Sequence, residues 1–350
     1  MKYDYLIVGC GIAGAILAYR LRKSGKSVYI IDDDNPNASS KVAAGFVNPI
    51  TGRRIVKSWM ADTVLPHAFH FYRELEGEFG ENFFHKVDAL ELVSSVHEQN
   101  EWTRRADEQE IRQYFSSDSV PEAHYKPVIR EFKKLMRITQ SGWLNMPALI
   151  NAICRNIDVE GCLEKGTFNE KELIRSNTKL EYEGKSFSKV IFTEGYSVNK
   201  STLWNFIPMV PAKGEIMTIE VPELPQDFIL LCGMFFVPIG NHRFRCGATY
   251  SWNFENAQPT EEGKQKLTEM IRENLKVPFK IIHHTAGVRP TMKDRRPVMG
   301  AHPDDNRLLI FNGLGTKGAM LSPYFTDLFC QWLNNKVALI SETDIRRFLK

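Results

Sequence analysis

The sequence predicts an α/β protein in two parts. One is a parallel-sheet domain assembled from separated stretches of chain, and the other is an inserted domain on a mixed or antiparallel sheet. Three observations predict this. Residues 4–34 read as strand, glycine turn, helix, strand and acid. Residues 208–250 hold several strand-like runs broken by Pro222, Pro225, Gly233, Pro238 and Gly240. A short apolar run, Leu308 to Phe311, then meets a second glycine-rich loop and a last helix.

Each part of the first segment has a physical role. Tyr5-Leu6-Ile7-Val8 is a buried strand, and Ser27 to Ile31 is a second one ending in Asp32. Between them stands Gly9-Cys10-Gly11-Ile12-Ala13-Gly14. Gly9 permits the tight turn, Gly11 lets a pyrophosphate approach the backbone, and Gly14 lets helix and strand pack closely. The amide groups and positive end of the helix favour phosphate. Asp32 accepts hydrogen bonds from ribose hydroxyls, and Asp33 follows it. This is a Rossmann-like dinucleotide site.

Composition narrows the class. The chain has 350 residues, 43% hydrophobic and 25% charged, which suits a soluble globular protein of about two domains. A net charge of +3 is too mild to argue for nucleic acid. Residues 5–18 are too short for a membrane span and carry three glycines, so no membrane partner is expected. The six cysteines (10, 154, 162, 232, 246 and 330) show no metal spacing. They read as buried thiols of a cytoplasmic protein. His283-His284 point to opposite faces of a strand and no metal is expected.

Further elements follow in order. Residues 59–79 carry Val64, Ala68, Phe69, Tyr72 and Leu75 at helical spacing. Short strands are expected near 90–96 and helices near 100–115. Met146-Pro147 opens a helix with Leu149, Ile150, Ile153 and Ile157 on one face. Residues 187–193 form a strand ending at Glu194-Gly195. Strand-like runs cover 214–221, 228–237 and 243–250, and a helix is expected near 260–275. The interleaving predicts that residues 1–80, 141–207 and 286–350 make the cofactor domain, with 81–140 and 208–285 as the substrate domain. A contiguous dinucleotide domain is usual for NAD dehydrogenases, so this order favours FAD over NAD.

Several segments taken together resemble the FAD-dependent amine oxidase superfamily of D-amino acid oxidase, glycine oxidase, sarcosine oxidase and the oxidase domain of the tRNA-modifying enzyme MnmC. Ala38-Ser39-Ser40 followed by Ala43-Ala44-Gly45 is similar to the loop that wraps the cofactor. Ser141-Gly142-Trp143-Leu144, Val210-Pro211-Ala212-Lys213-Gly214-Glu215 and Cys246-Gly247-Ala248-Thr249-Tyr250 resemble later family segments. The most specific pair is Ala286-Gly287-Val288-Arg289-Pro290-Thr291, continuing to Gly300, and Asn312-Gly313-Leu314-Gly315-Thr316-Lys317-Gly318.

The resemblance implies FAD held by Gly9, Gly11, Ile12, Ala13, Gly14, Asp32, Asp33, Ser40, Ala43, Ala44, Gly45, Thr193, Gly195 and the loop Gly313, Leu314, Gly315, Thr316, Lys317 and Gly318. No cysteine lies between Cys246 and Cys330, so the flavin is expected to be non-covalent. Glu194 replaces a small residue of the family and puts a charge near the expected cofactor. The implied reaction oxidises the C–N bond of a small amine or amino acid bearing a carboxylate, by hydride transfer to flavin N5, with oxygen or another acceptor receiving the electrons. Arg289 is expected to bind the carboxylate as a fork, or else to pair with a neighbour such as Asp294. Lys317, Tyr250 and Arg53, with Arg54 beside it, are the further substrate-site candidates. Two alternatives stand: a stand-alone oxidase of carboxymethylaminomethyl groups on tRNA wobble uridines, and a flavin- or NAD-binding protein without oxidase activity.

Overall fold

The computed structural model describes residues 1–52, 55–158 and 161–349. Fourteen strands matter for the site: β1 Lys2–Val8, β2 Val28–Asp32, β3 Ala89–Val93, β4 Lys134–Ile138, β5 Leu163–Lys165, β6 Leu180–Tyr182, β7 Lys185–Phe192, β8 Ala212–Glu220, β9 Ile229–Leu231, β10 Phe235–Pro238, β11 Arg243–Gly247, β12 Lys280–Arg289, β13 Val298–Ala301 and β14 Leu308–Asn312. The main helices are α1 Ile12–Lys23, α2 Ala61–Phe79, α3 Val96–Ala106, α4 Met146–Asp158, α5 Glu261–Asn274 and α6 Gly318–Leu333. The chain divides into two compact units. The first comprises Met1–Lys41, Met146–Ala212 and Val288–Lys350, and the second Val42–Asn145 and Lys213–Gly287.

In the first unit, β1 lies between β2 and β7, parallel to both. β5 adds to the outer edge of β2, also in parallel. The far edge of β7 is shared. Its start pairs with β6 antiparallel, and its end pairs with β14 in parallel. β13 then returns antiparallel along β14. Tyr5 to Val8, Val28 to Ile31 and Leu308 to Phe311 are all buried, as strands covered on both faces require. α1 is buried nearly all round, from Ile12 to Tyr19, and packs on α4 and α6.

The second unit is built on a mixed sheet in the order β12-β8-β11-β10-β9-β3-β4, closed by the two-residue strand Phe115–Ser116. Its pairs are antiparallel from β8 through β9 and between β3 and β4, whereas β9 and β3 run parallel. Leu90, Leu92, Met217, Ile219, Phe236 and Phe244 belong to its core.

Several boundaries differ from the sequence expectation. The strand-like run over 228–237 is a hairpin, because Gly233 turns the chain at φ +80° and Cys232 N–H donates to Met234 O. β11 stops at Gly247 rather than Tyr250. Residues 42–80 cluster with the second unit. Their helix α2 ends at Gly80, a left-handed cap, and it buries Leu65 and Phe71 alongside Val64, Ala68, Tyr72 and Leu75. Phe69 is only half-buried. α3 starts earlier than expected. Ser95 accepts from Glu98 N–H while the Glu98 carboxylate accepts from Ser94 N–H, and together they fix its first turn. Among the described residues no helix is long and apolar enough to cross a membrane.

Candidate active site

The first unit gathers its special backbone where its parallel strands end. Gly9 follows β1 at φ +95°, a conformation that disfavours side chains. A Cβ on Gly14 would lie 2.0 Å from Gly9 O, and one on Gly11 would lie 3.2 Å from Ser40 Oγ. Only glycine lets turn and helix meet this closely. Thr193, just past β7, locks the same turn by donating to Val8 O at 2.9 Å and Gly9 O at 2.6 Å. Asp32 closes it from the other side. Its carboxylate accepts from Cys10 N–H and from Asp34 N–H, so it is fixed at the tip of β2. Asp33 accepts from Asn35 N–H at 3.1 Å. Ser40 Oγ accepts from Ile12 N–H at 3.0 Å, at the entrance to α1.

The C-terminal loop comes to the same end of the sheet. Asn312, the last residue of β14, donates from its amide to Gly195 O at 2.9 Å and accepts from Gly313 N–H. Gly313 and Gly315 sit at φ +77° and +58°. A Cβ on Gly318 would approach Ile12 Cγ2 to 3.2 Å, so α1 and α6 begin side by side. Neither helix has an acidic residue in its first turn or a side-chain cap at its cap residue. Two positive helix ends therefore meet with no acid in either first turn, and Asp32 and Ser40 reach the start of α1 from outside the helix.

Arg289 and Lys317 belong to segments that are bonded together. Thr291 bridges to Leu314, and Gly315 N–H donates to Pro290 O at 3.1 Å. Arg289 ends β12, and Lys317 is the cap residue of α6. Burial lowers the Lys317 amine to about 8, with the Arg296 guanidinium adding to the effect. Arg296 thus acts on Lys317, while its own guanidinium pairs with Glu342 at 3.8 Å. Sequence reasoning gave it no role, because nothing in the run Asp294-Arg295-Arg296 says which arginine faces Lys317. The expected alternative role of Asp294 takes another form: its carboxylate binds Arg347 at 2.8 Å and Arg296 N–H at 3.0 Å.

Glu194 departs from its expected character. Burial, then the carboxylates of Glu170 and Asp33, push it up to about 8, so it is mainly a neutral acid at pH 7. The charge expected near the cofactor is therefore largely suppressed. The chain signals only the unusual residue type, since Glu170 meets this region through folding.

The remaining candidates belong to the second unit. Ala43 O accepts from Arg245 Nη1 at 3.1 Å, and Ala44 is buried. Gly45 sits at φ +72°, where a Cβ would fall 1.9 Å from Leu144 O. Tyr250 is 42% exposed and Trp252 62%, with ring centroids 4.6 Å apart. Trp252 was not anticipated. Arg53 and Arg54 lie outside the described residues. His284 pairs with Glu215 at 2.8 Å, and no metal-holding group exists among the described residues. All six cysteines are free, although Cys154 and Cys330 are only partly buried rather than buried as expected.

These features suit FAD. Two helix starts without an acid in their first turn can receive a pyrophosphate, a glycine turn admits close approach, and a carboxylate stands at the tip of β2 for a ribose. The FAD dependent oxidoreductase model matches residues 4–332. The chain is 23% identical over 363 residues to the Idiomarina loihiensis bifunctional protein MnmC of tRNA 5-methylaminomethyl-2-thiouridine biosynthesis; the match covers 99% of this chain and 58% of that protein. It therefore spans less than two thirds of that relative's length. Among solved structures, glycine oxidase from Bacillus cereus ATCC 14579 superposes with a TM-score of 0.81 at 20% identity, covering 96% of each chain. Iminodiacetate oxidase from Chelativorans sp. BNC1 gives 0.80 at 21% identity, covering 97% of this chain and 99% of that one. These two likenesses show the fold. With the family match spanning nearly the whole chain, the protein belongs to the FAD dependent oxidoreductase family and uses FAD as its cofactor.

Proposed function

We propose that this oxidoreductase oxidises the C–N bond of a small amine that carries a carboxylate. The observation that carries this reading is a half-buried Lys317 at the start of α6, within electrostatic range of Arg296, on a loop bonded to the segment that follows Arg289. A guanidinium fork holds a carboxylate bidentately, and a partly buried lysine adds a second charge. Such a clamp orients the substrate and holds its C–H bond in one direction. FAD, when bound, supplies the acceptor for the hydride, at N5 of its ring. The positive end of the α6 dipole favours negative charge beside it. The two solved structures of similar fold include oxidases of glycine and iminodiacetate, which are amines of this class.

A second reading is a tRNA wobble-uridine oxidase. The MnmC relative and the exposed Tyr250–Trp252 pair favour it, since an exposed indole offers a stacking face to a base. One experiment separates the two. The purified protein is made anaerobic, and its flavin absorbance is followed with glycine, sarcosine, iminodiacetate, D-alanine or carboxymethylaminomethyl-modified tRNA. Bleaching by a free amine supports the first reading. Bleaching by the tRNA alone overturns it in favour of the second. Acid precipitation of the same sample is expected to leave all flavin in the supernatant, as non-covalent attachment requires.

A further inference from the structure

The fold brings together two cysteines that lie 144 residues apart: Cys10 Sγ and Cys154 Sγ are 3.3 Å from each other. Cys10 is the second residue of the glycine-rich turn and is buried, and Cys154 is on α4 and partly accessible. Neither has a part in the proposed reaction. A disulfide needs about 2.05 Å between sulfurs, so closing the gap takes about 1.2 Å of movement.

We propose that Cys10 and Cys154 form a reversible dithiol–disulfide site that is oxidised by hydrogen peroxide and controls how firmly the glycine-rich turn retains FAD. The contact between the two sulfurs lowers the Cys154 pKa and raises that of Cys10. Lys41 favours the Cys154 thiolate, whereas burial, Asp32 and Asp158 oppose it. Cys154 is therefore the attacking sulfur. Its thiolate takes one peroxide oxygen, the O–O bond breaks, and the other oxygen leaves as hydroxide, which gains a proton to become water. The Cys10 sulfur then displaces the sulfenic oxygen, which departs as water carrying the Cys10 proton. Two thiols and one peroxide give one disulfide and two waters.

The coupling to flavin follows from position. Cys10 stands between Gly9 and Gly11, and its own N–H is held by the Asp32 carboxylate. Drawing its Sγ toward α4 strains a turn that Thr193 and Asp32 otherwise fix. This inference rests on FAD binding alone and is independent of which amine is oxidised.

The test uses the flavin-loaded protein. It is treated with hydrogen peroxide, digested without reductant and mapped by mass spectrometry, while flavin fluorescence reports FAD release. The expected result is a linked Cys10–Cys154 peptide and release about fivefold faster, both reversed by dithiothreitol. Cys154→Ser is expected to retain FAD and show neither change. Sulfinic acid on Cys154 with no linked peptide overturns the site. A linked peptide with an unchanged release rate overturns the control of flavin. Should Cys154→Ser fail to fold, the wild-type map and release rate decide alone.

Discussion

In the first unit, polar groups collect at one end of a parallel sheet, while in the second they are absorbed within a mixed one. Gly9, Asp32, Thr193, Glu194 and Asn312 all stand at or just beyond strand ends in the first unit. In the second, Glu215 is buried within β8. It pairs with Lys213 at 3.3 Å and His284 at 2.8 Å, and accepts from Thr260 N–H and Oγ. The Lys213–Glu215 pair and the Thr260 bonds occupy this carboxylate and leave little of it for a ligand. In the first unit the polar side chains instead fasten the glycine-rich turn and the C-terminal loop at the strand ends. Polarity within the second unit holds a sheet together, whereas polarity at the strand ends of the first shapes the turn that a dinucleotide needs.

The sharpest challenge to this contrast compares two crowded glycines. Gly14→Val is expected to weaken FAD binding more than about 100-fold while the second unit stays folded, because the clash falls on Gly9 O in the cofactor turn. Gly45→Val puts its clash on Leu144 O and is expected to destabilise the second unit. Flavin absorbance per protein and limited proteolysis read the two effects. Loss of flavin with equal proteolytic damage in both variants would break the contrast.

Next in size is Arg289→Lys. Replacing a fork by a point charge is expected to lower kcat/KM for a carboxylate-bearing amine about 100-fold, with FAD content unchanged. Steady-state kinetics on the flavin-loaded variant decide it.

Two half-buried carboxyls give a smaller, matched pair. Glu194 in the first unit and Glu91 in the second are both raised to about 8, each chiefly by burial. In the unfolded chain both ionise near pH 4.5. Between these values the folded protein must hold a proton that the unfolded chain releases, so each group costs stability as pH rises from 4.5 toward 8. Glu194→Gln and Glu91→Gln are each expected to raise Tm by about 3 °C at pH 8 and not at pH 4. Thermal melts at both pH values test the sign. A change at Glu194 that also shifts FAD affinity, with none at Glu91, would sharpen the contrast.

The smallest effect concerns Lys317. With its pKa lowered to about 8, it loses its positive charge above that pH. KM for a carboxylate substrate is expected to rise about threefold between pH 7 and 9. Lys317→Arg is expected to flatten that rise, which pH-dependent kinetics would show.

Local pattern carried the glycine turn, β1, α1 and β2, because their spacing and apolar periods are set over a few residues. The same holds for Leu308 to Phe311 and for the loop up to Gly318. Gly233 was legible as a break within the run 228–237, whereas the hairpin it makes is fixed by its φ of +80° and by pairing of the two arms. Cys10 and Cys154 read as unrelated thiols, since 144 residues separate them.

By itself, the sequence determined the dinucleotide turn, the interleaved order of the segments and the residue types available to bind an anion. Tertiary structure decided which charges meet and which survive. It placed Arg296 beside Lys317 and Glu170 near Glu194, and it moved both titrations toward neutrality. The reason is physical: a pKa depends on burial and on charges a few ångströms away in space, and neither quantity is written along the chain.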